Sequence, residues 1–366
     1  MIHFAQESGF VILRTYPSRQ LLDVAATVKD IETTQHVAFN GYYHPTETRT
    51  FFAPSRDPQL DSNVPVLCFT GLDNYRIPHR SHLTQGVTSG TKPIPNIGTA
   101  PDHNSYWGSD FRAAYAPGVS LFGAGQVVGL LEFDGFSTTA IEAYEDKAPV
   151  DHSIIPSPWR VFVRPIPVDD FDGLPGANEE EVELDIEMAI SMAPQLSQVT
   201  VYEAHDTSHF VSILHEMAYP TQGEPLPMQL SSSWTLPDDP NADNVYLRFR
   251  YNGQSFFQSS GDHGAYYTGI DEWADSPYVT IVGGTALSTS SPGGSWSNET
   301  VWNSGRNIQG VLVGSGGGSS DICNGNQPYP IPFWQKNMNN IQANGGSTTM
   351  RNGPDVAMVA TNIWVV

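Results

Sequence analysis

Lysine is scarce in this sequence: there are four in 366 residues. Charged residues of all kinds make up 15% of the chain, where an ordinary soluble domain carries roughly 25%. The balance is one-sided, with 39 Asp and Glu against 17 Lys and Arg and a formal net charge of -22. A chain so short of basic surface makes a poor partner for nucleic acid or for an anionic membrane. No apolar run approaches the roughly 18 to 20 residues of a membrane span. The two cysteines, Cys68 and Cys323, fall in different regions and make no disulfide framework, so the redox compartment stays open. Met1 is followed by polar and amphipathic sequence instead of a basic start and an apolar core. No signal peptide is visible, which leaves either a cytoplasmic protein or a chain without its natural N-terminus. No internal repeat is evident. What is abundant is Gly (33) and Pro (28), the mark of a loop-rich protein, in a length that suggests two or three domains with ample core.

The charge is unevenly placed. Residues 1–104 hold 8 basic and 9 acidic residues, a net of -1, and residues 105–366 hold 9 and 30, a net of -21. Two regions of different electrostatics are joined. The acidic surface suits surroundings in which carboxylates are largely protonated and self-repulsion is relieved. At neutral pH the asymmetry is expected to hold the regions together, and acidification to weaken that attraction.

Residues 10–83 read as a small α+β unit, with strands at Phe10–Thr15, Leu21–Ala26 and Thr48–Ala53 and a short amphipathic segment carrying Val28, Ile31 and Val37. Residues 84–101 (TQGVTSGTKPIPNIGTAP) read as an exposed linker. Beyond it strands alternate with helices. Strands are expected at Gln126–Phe133, Gln198–Tyr202, Met228–Trp234, Ser255–Ser260 and Tyr278–Gly283, and helices at Thr138–Tyr144, Glu179–Met192, His209–Tyr219 and Ala242–Tyr251. That alternation predicts an α/β fold with a parallel, doubly wound sheet covered on both faces. Ligands of such sheets collect at the carboxyl ends of the strands.

The sharpest local pattern is the helix after Asn178. Glu181 and Asp185 are four residues apart and so share one face, with Met188 and Met192 continuing it. Two carboxyls in contact beside apolar surface do not both ionise easily, so one is tuned towards acid-range proton transfer. On this motif alone the more ordinary account comes first: Asn178 is an N-cap, Glu181 the N3 partner of a capping box, and the acidic first turn a response to the helix dipole. Glu132 ends an apolar strand, where a carboxylate needs a partner, a function or exposure. Asp262 sits in the turn Ser259-Ser260-Gly261-Asp262-His263-Gly264-Ala265, where a plain turn aspartate is the simpler account. His205, His209 and His215 match no zinc spacing. Asn298-Glu299-Thr300 is an acceptor sequon, meaningful in a eukaryotic secretory pathway. Gly314 to Ser319 lack the Lys of a phosphate loop and read as a flexible or tight loop. A two-carboxylate glycosidase is disfavoured because acids at i and i+4 on one helix stand on one side of a substrate.

Together these segments resemble the sedolisin family of serine-carboxyl peptidases, of the kumamolisin type. The resemblance is carried by Gln126 to Phe133, Glu181 to Glu187 (EVELDIE), the SSGDHGA turn, Ser276 to Thr285, Glu299 to Asn303 (ETVWN), GSGGGSS before Pro332-Phe333-Trp334-Gln335, and Asn352 to Ala357 (NGPDVA). It implies a subtilisin-like parallel sheet flanked by helices, C-terminally incomplete and preceded by a small α+β prodomain. The implied boundaries are 1–83 for part of the activation prodomain, 84–104 for the processing linker and 105–366 for the catalytic domain. By the same resemblance Glu181 is the general base, Asp185 its hydrogen-bonded acid and Asp262 the oxyanion-hole acid, with Glu132 and Trp234 extending the hydrogen-bond chain. The family's nucleophile lies in a Ser-Gly-Thr-Ser type segment downstream of the PDVA stretch, past Val366, and Ser89-Gly90-Thr91-Lys92 is a partial match in the linker. The family's calcium site lies in that same downstream region, so no cofactor is expected within this chain. The implied activity is acid-active endopeptidase chemistry on protein or peptide substrates, secreted, with the prodomain as intramolecular inhibitor. These 366 residues alone are expected to be inactive. The rival expectation is a catalytically dead regulatory or binding homologue.

Overall fold

The structure, a computed structural model, describes all residues except 46, 61–63, 65, 67–68, 76, 78–97, 207–208, 222, 237–238, 267–274, 308–309 and 321–327. Both cysteines, Ser89 to Lys92 and most of the expected linker lie outside the described residues. The N-terminal unit runs α1 (Ile2–Glu7), β1 (Val11–Thr15), β2 (Leu22–Ala25), α2 (Val28–Gln35), β3 (Phe39–Tyr43) and β4 (Thr50–Pro54). Its strands form two antiparallel hairpins, β1 with β2 and β3 with β4. Thr27 starts α2 by accepting the amide of Asp30 at 3.2 Å, and His36 ends it in the left-handed region.

The larger region continues with α3 (Gly108–Tyr115), β5 (Val127–Glu132), α4 (Thr138–Lys147), β6 (Val163–Pro167), α5 (Glu179–Met192), β7 (Gln198–Glu203), α6 (Phe210–Ala218), β8 (Gln229–Ser232), α7 (Pro240–Asn252) and β9 (Ser255–Ser259). Then follow β10 (His263–Ala265), β11 (Thr280–Thr289), β12 (Trp296–Val301), β13 (Asn303–Arg306), β14 (Leu312–Ser319), α8 (Phe333–Lys336), β15 (Asn352–Gly353) and β16 (Val356–Val359). An eight-stranded sheet runs β12-β11-β9-β8-β5-β7-β6, with β16 beside β11. All its pairings are parallel except β11 with β12. Central strands such as β7 are buried at every residue, which is why they read as apolar runs without alternation. Local signals set the helix ends. In α7, Asp239 accepts the amide of Asn241 at 2.7 Å, Pro240 takes the first helical position, and Gly253 closes the helix at φ 78°.

The Gly314 to Ser319 segment is a correction to the expected loop: it is β14, paired with β10, β13 and β15. Its glycines are there for close approach. A Cβ on Gly316 would stand 1.7 Å from the carbonyl oxygen of Ser260, and the Gly316 amide donates to the Gly261 carbonyl at 2.6 Å. Gly316→Ala is therefore expected to cost about 1–3 kcal/mol by overpacking, read as a lower denaturant midpoint, with the displacement felt in the turn that carries Asp262.

The N-terminal unit sits on α6. Arg14 pairs with Glu216, and the Tyr16 ring lies 5.3 Å from that of His215. Tyr16 donates its hydroxyl to Asp23. Asp23 in turn hydrogen-bonds Asp169 of the larger region, and burial pushes its carboxyl up to about 6. The contact thus carries both signs. Arg14 and Glu216 meet as opposite charges, whereas Asp23 and Asp169 bond only through a shared proton, a contact that acid strengthens.

Candidate functional site

The strand order brings the carboxyl ends of β9, β8 and β5 side by side. Glu132 is the last residue of β5, Trp234 follows β8 by two residues, and Asp262 lies in the turn after β9. Over this end stands α5, which carries Glu181 and Asp185. Two contacts fix the helix. Asp134 accepts the amides of Gly135 and Asn178, each at 2.8 Å, which ties the start of α5 to the loop after β5. Glu183 accepts the amide of Ser137 at 3.0 Å, at the N-terminus of α4. The expected capping box is not formed: the Asn178 side chain makes no cap bond, and the Asn178 amide, which the Glu181 side chain would accept in a capping box, is given to Asp134. Val182, Ile186 and Ile190, all fully buried, form the helix's core face, so Glu181 and Asp185 are held by packing beneath them.

Glu132 is wholly buried, not an exposed strand end. Its Oε2 accepts the indole N–H of Trp234 at 2.6 Å, and that ring also meets Phe133 edge-on at 5.5 Å. Glu132 is hydrogen-bonded to Asp185. Asp185 receives the hydroxyl of Ser233, 2.8 and 2.7 Å from its two oxygens. Burial pushes Glu132 well above the ordinary carboxyl range, with the charges of Asp185 and Glu181 adding to it and the Trp234 bond opposing it. Burial likewise raises Asp185 to about 6, while the bonds from Ser233 and Glu132 act against that rise. Glu181 is 1% exposed and close enough to act on Glu132 electrostatically. Asp262 is 8% exposed, and its carbonyl accepts the Gly314 amide at 2.8 Å; it lies at the same end of the sheet, in the turn seated against β14. Trp234 is anchored by Gln258, whose side-chain N–H donates to its carbonyl at 2.8 Å.

Chemically, Trp234 and Glu132, both fully buried, and the half-buried Asp185 form a hydrogen-bonded chain holding at least one proton, with Glu181 a helical turn away. Sequence reasoning passed over three residues. Ser233 was visible as part of Ser231 to Trp234, and Asp134 as the residue after Glu132-Phe133. Glu203, at the end of β7 in register with Glu132, gave no signal beyond ending an apolar run. The histidines stand apart from this end chemistry. His209 bonds Asp169 at 2.9 Å, His205 packs on Phe171, and burial pushes His215 down to about 4. Among the described residues no group of three or more His, Cys, Asp or Glu converges to hold a metal ion, and no helix is long and apolar enough to cross a membrane.

No family model matches the chain. Kumamolisin of Bacillus sp. (strain MN-32) is 28% identical over 374 aligned positions, covering 97% of this chain and 63% of kumamolisin. Xanthomonalisin of Xanthomonas sp. (strain T-22) is 24% identical over 413 positions, covering 98% and 47%. Sedolisin of Pseudomonas sp. (strain 101) is 28% identical over 341 positions, covering 86% and 56%. The chain therefore spans between 47% and 63% of the length of these curated relatives. Among solved structures, Pseudomonas sedolisin, a serine-carboxyl proteinase complexed with two molecules of pseudo-iodotyrostatin, matches with a TM-score of 0.54 at 22% identity, over 74% of this chain and 72% of that one. That likeness establishes the shared fold, a parallel sheet flanked by helices.

Proposed function

Since this chain belongs to the sedolisin family of serine-carboxyl peptidases, we propose that it carries the acid-base and oxyanion half of an acid-active endopeptidase site. Glu181 is the general base, Asp185 the acid behind it, Glu132 and Trp234 the extension of that chain, and Asp262 the donor to the oxyanion. The nucleophilic serine is assigned to none of these 366 residues; it belongs to a segment after Asn352 to Ala357 in a longer chain, as does any calcium site. In that chain the serine hydroxyl attacks the peptide carbonyl while Glu181 takes its proton. The acyl-enzyme is released by water, which Glu181 deprotonates in turn. A protonated Asp262 gives a hydrogen bond to the oxygen as it gains charge. Histidine would be protonated and useless as a base in acid, whereas carboxyls near roughly pH 4 accept and return protons. Substrates are proteins or peptides, residues 1–83 are part of an activation prodomain, and the working compartment is extracellular.

The observation that carries this reading is the meeting of the half-buried Asp185 with the fully buried Glu132 and Trp234, drawn from α5 and the ends of two adjacent strands, in one hydrogen-bonded chain. The test is turnover of a protein substrate at acidic pH by a longer chain that includes the family's serine segment. Turnover is expected from that chain and none from these 366 residues. Turnover by the longer chain after loss of Glu181 rules the assignment out.

Acid tolerance has its own support. Glu203 is wholly buried, its two oxygens meet no hydrogen-bond donor among the described residues, and burial pushes it up to about 8. Burial raises Glu187 to about 9. Each is neutral in the fold and ionised in the unfolded chain between roughly pH 4.3 and its folded value. The fold then binds the extra protons, so stability falls as pH rises through that window and is fully retained below it. Denaturant midpoints are expected to rise from pH 8 to pH 5. Glu203→Gln is expected to flatten that slope and to stabilise at pH 8 with little change at pH 5. A midpoint that instead climbs towards pH 8 would overturn this.

A further inference from the structure

We propose that Ser233 is a positioning residue of this site: its hydroxyl makes Asp185 the ionised member of the carboxyl chain and leaves the proton on Glu132. This rests on the reading of Asp185 given above, though its measurement needs no turnover.

The assignment follows from counting donors. Asp185 and Glu132 are hydrogen-bonded to each other, and two carboxyls bond only when at least one of them carries a proton. Glu132 Oε2 is taken by the Trp234 indole, while Oε1 meets no N–H or hydroxyl donor among the described residues. We assign the proton of the Glu132 to Asp185 bond to Oε1, the Glu132 oxygen that no other donor occupies. Asp185 also receives the Ser233 hydroxyl, shared between its two oxygens at 2.8 and 2.7 Å. With two donors, Asp185 is the better place for the charge; Glu132, with one donor and no solvent contact, is the worse. Take Ser233 away and each carboxyl keeps one donor, so the preference collapses and the proton spreads towards Asp185.

Ser233 is well held for this. Ser259, at the end of the neighbouring β9, donates its hydroxyl to the Ser233 carbonyl at 3.2 Å. The next residue, Trp234, gives its amide to the Ser232 hydroxyl at 3.2 Å. The titratable groups acting on the pair are Glu132 at the end of β5, directly on Asp185, and Glu181 on α5, through Glu132.

The experiment is a carboxyl-carbon NMR titration of the 366-residue chain, labelled at Asp and Glu, with Ser233→Ala and Ser233→Thr beside the parent. Ser233→Ala is expected to move the apparent Asp185 titration upward by about one pH unit, since a hydrogen bond to a charged group is lost. Glu132 should move the opposite way, because the two titrate as a pair. Ser233→Thr, which keeps the hydroxyl, should restore the parent curve. If Ser233→Ala loosens the fold, Ser233→Cys, of similar size but a weak donor, should show the same upward direction. An Asp185 titration unchanged in both Ala and Cys variants, or a Thr variant that behaves like Ala, overturns the proposal. Absence of turnover in the longer chain with this titration shift present would remove the peptidase reading and leave the positioning intact.

Discussion

Glu181→Gln, placed in a longer chain that includes the serine segment, lowers kcat on a protein substrate near pH 4 by about 10²- to 10⁴-fold, the range that general acid-base groups contribute. Gln keeps the size of the buried side chain and removes the site that accepts a proton. The loss should fall on kcat with KM little changed, because proton transfer is made in the transition state and not in substrate binding. The folded structure should survive, since Val182, Ile186 and Ile190 anchor α5. Activity within a few-fold of the parent would show that another group takes the proton.

The second large effect concerns stability at the start of β11, beside the end of β9. Arg351 is fully buried and forks onto Asp355, at 2.9 Å from Oδ1 and 2.6 Å from Oδ2. It also reaches the carbonyls of Asn352 at 2.8 Å and Val279 at 3.3 Å. Asp355 accepts the Ile281 amide at 2.9 Å, which pins the start of β16 to β11. Arg351→Ala removes the counter-charge of Asp355 and the guanidinium donor to the Val279 carbonyl, while the Asn352 carbonyl keeps the side-chain N–H of Gln335 at 2.8 Å. A loss of about 3–5 kcal/mol is expected, as for other buried pairs broken on one side. Removing both partners, Arg351→Met with Asp355→Leu, should cost less than the sum of the single changes, because no orphaned charge remains. Chemical denaturation of the four chains measures this. Additive single and double losses would mean that the pair does not act as a unit.

Much of the fold was legible because the central strands are buried on both faces. Val127–Glu132 and Gln198–Glu203 stand out as short runs rich in apolar residues, Ser255–Ser259 (SFFQS) alternates in burial instead, and α5 occupies Glu179–Met192 as its periodicity predicts. Strands that need no apolar run escaped notice. β6 is VRPIP, a half-exposed edge with two prolines, and β14 is rich in Gly because Ser260, Gly353 and Trp302 press against it. Propensity rejects such a sequence as a strand; packing demands it.

The same division holds at the site. Glu181 and Asp185 were visible together because helical periodicity is a local property: four residues bring side chains to one face. Glu132 and Trp234 are 102 positions apart, and family likeness, not spacing, joined them beforehand. The sequence by itself determined the acidic balance, the alternation of strand and helix, and the carboxyl pair on α5, all of which follow from composition and short-range geometry. Tertiary structure alone decided that Glu132 is buried and partnered instead of exposed, that Asp134 displaces the capping box, and that Ser233 reaches Asp185. Those outcomes depend on which strand ends are neighbours and on which charges the fold removes from water, and neither is fixed until the sheet closes.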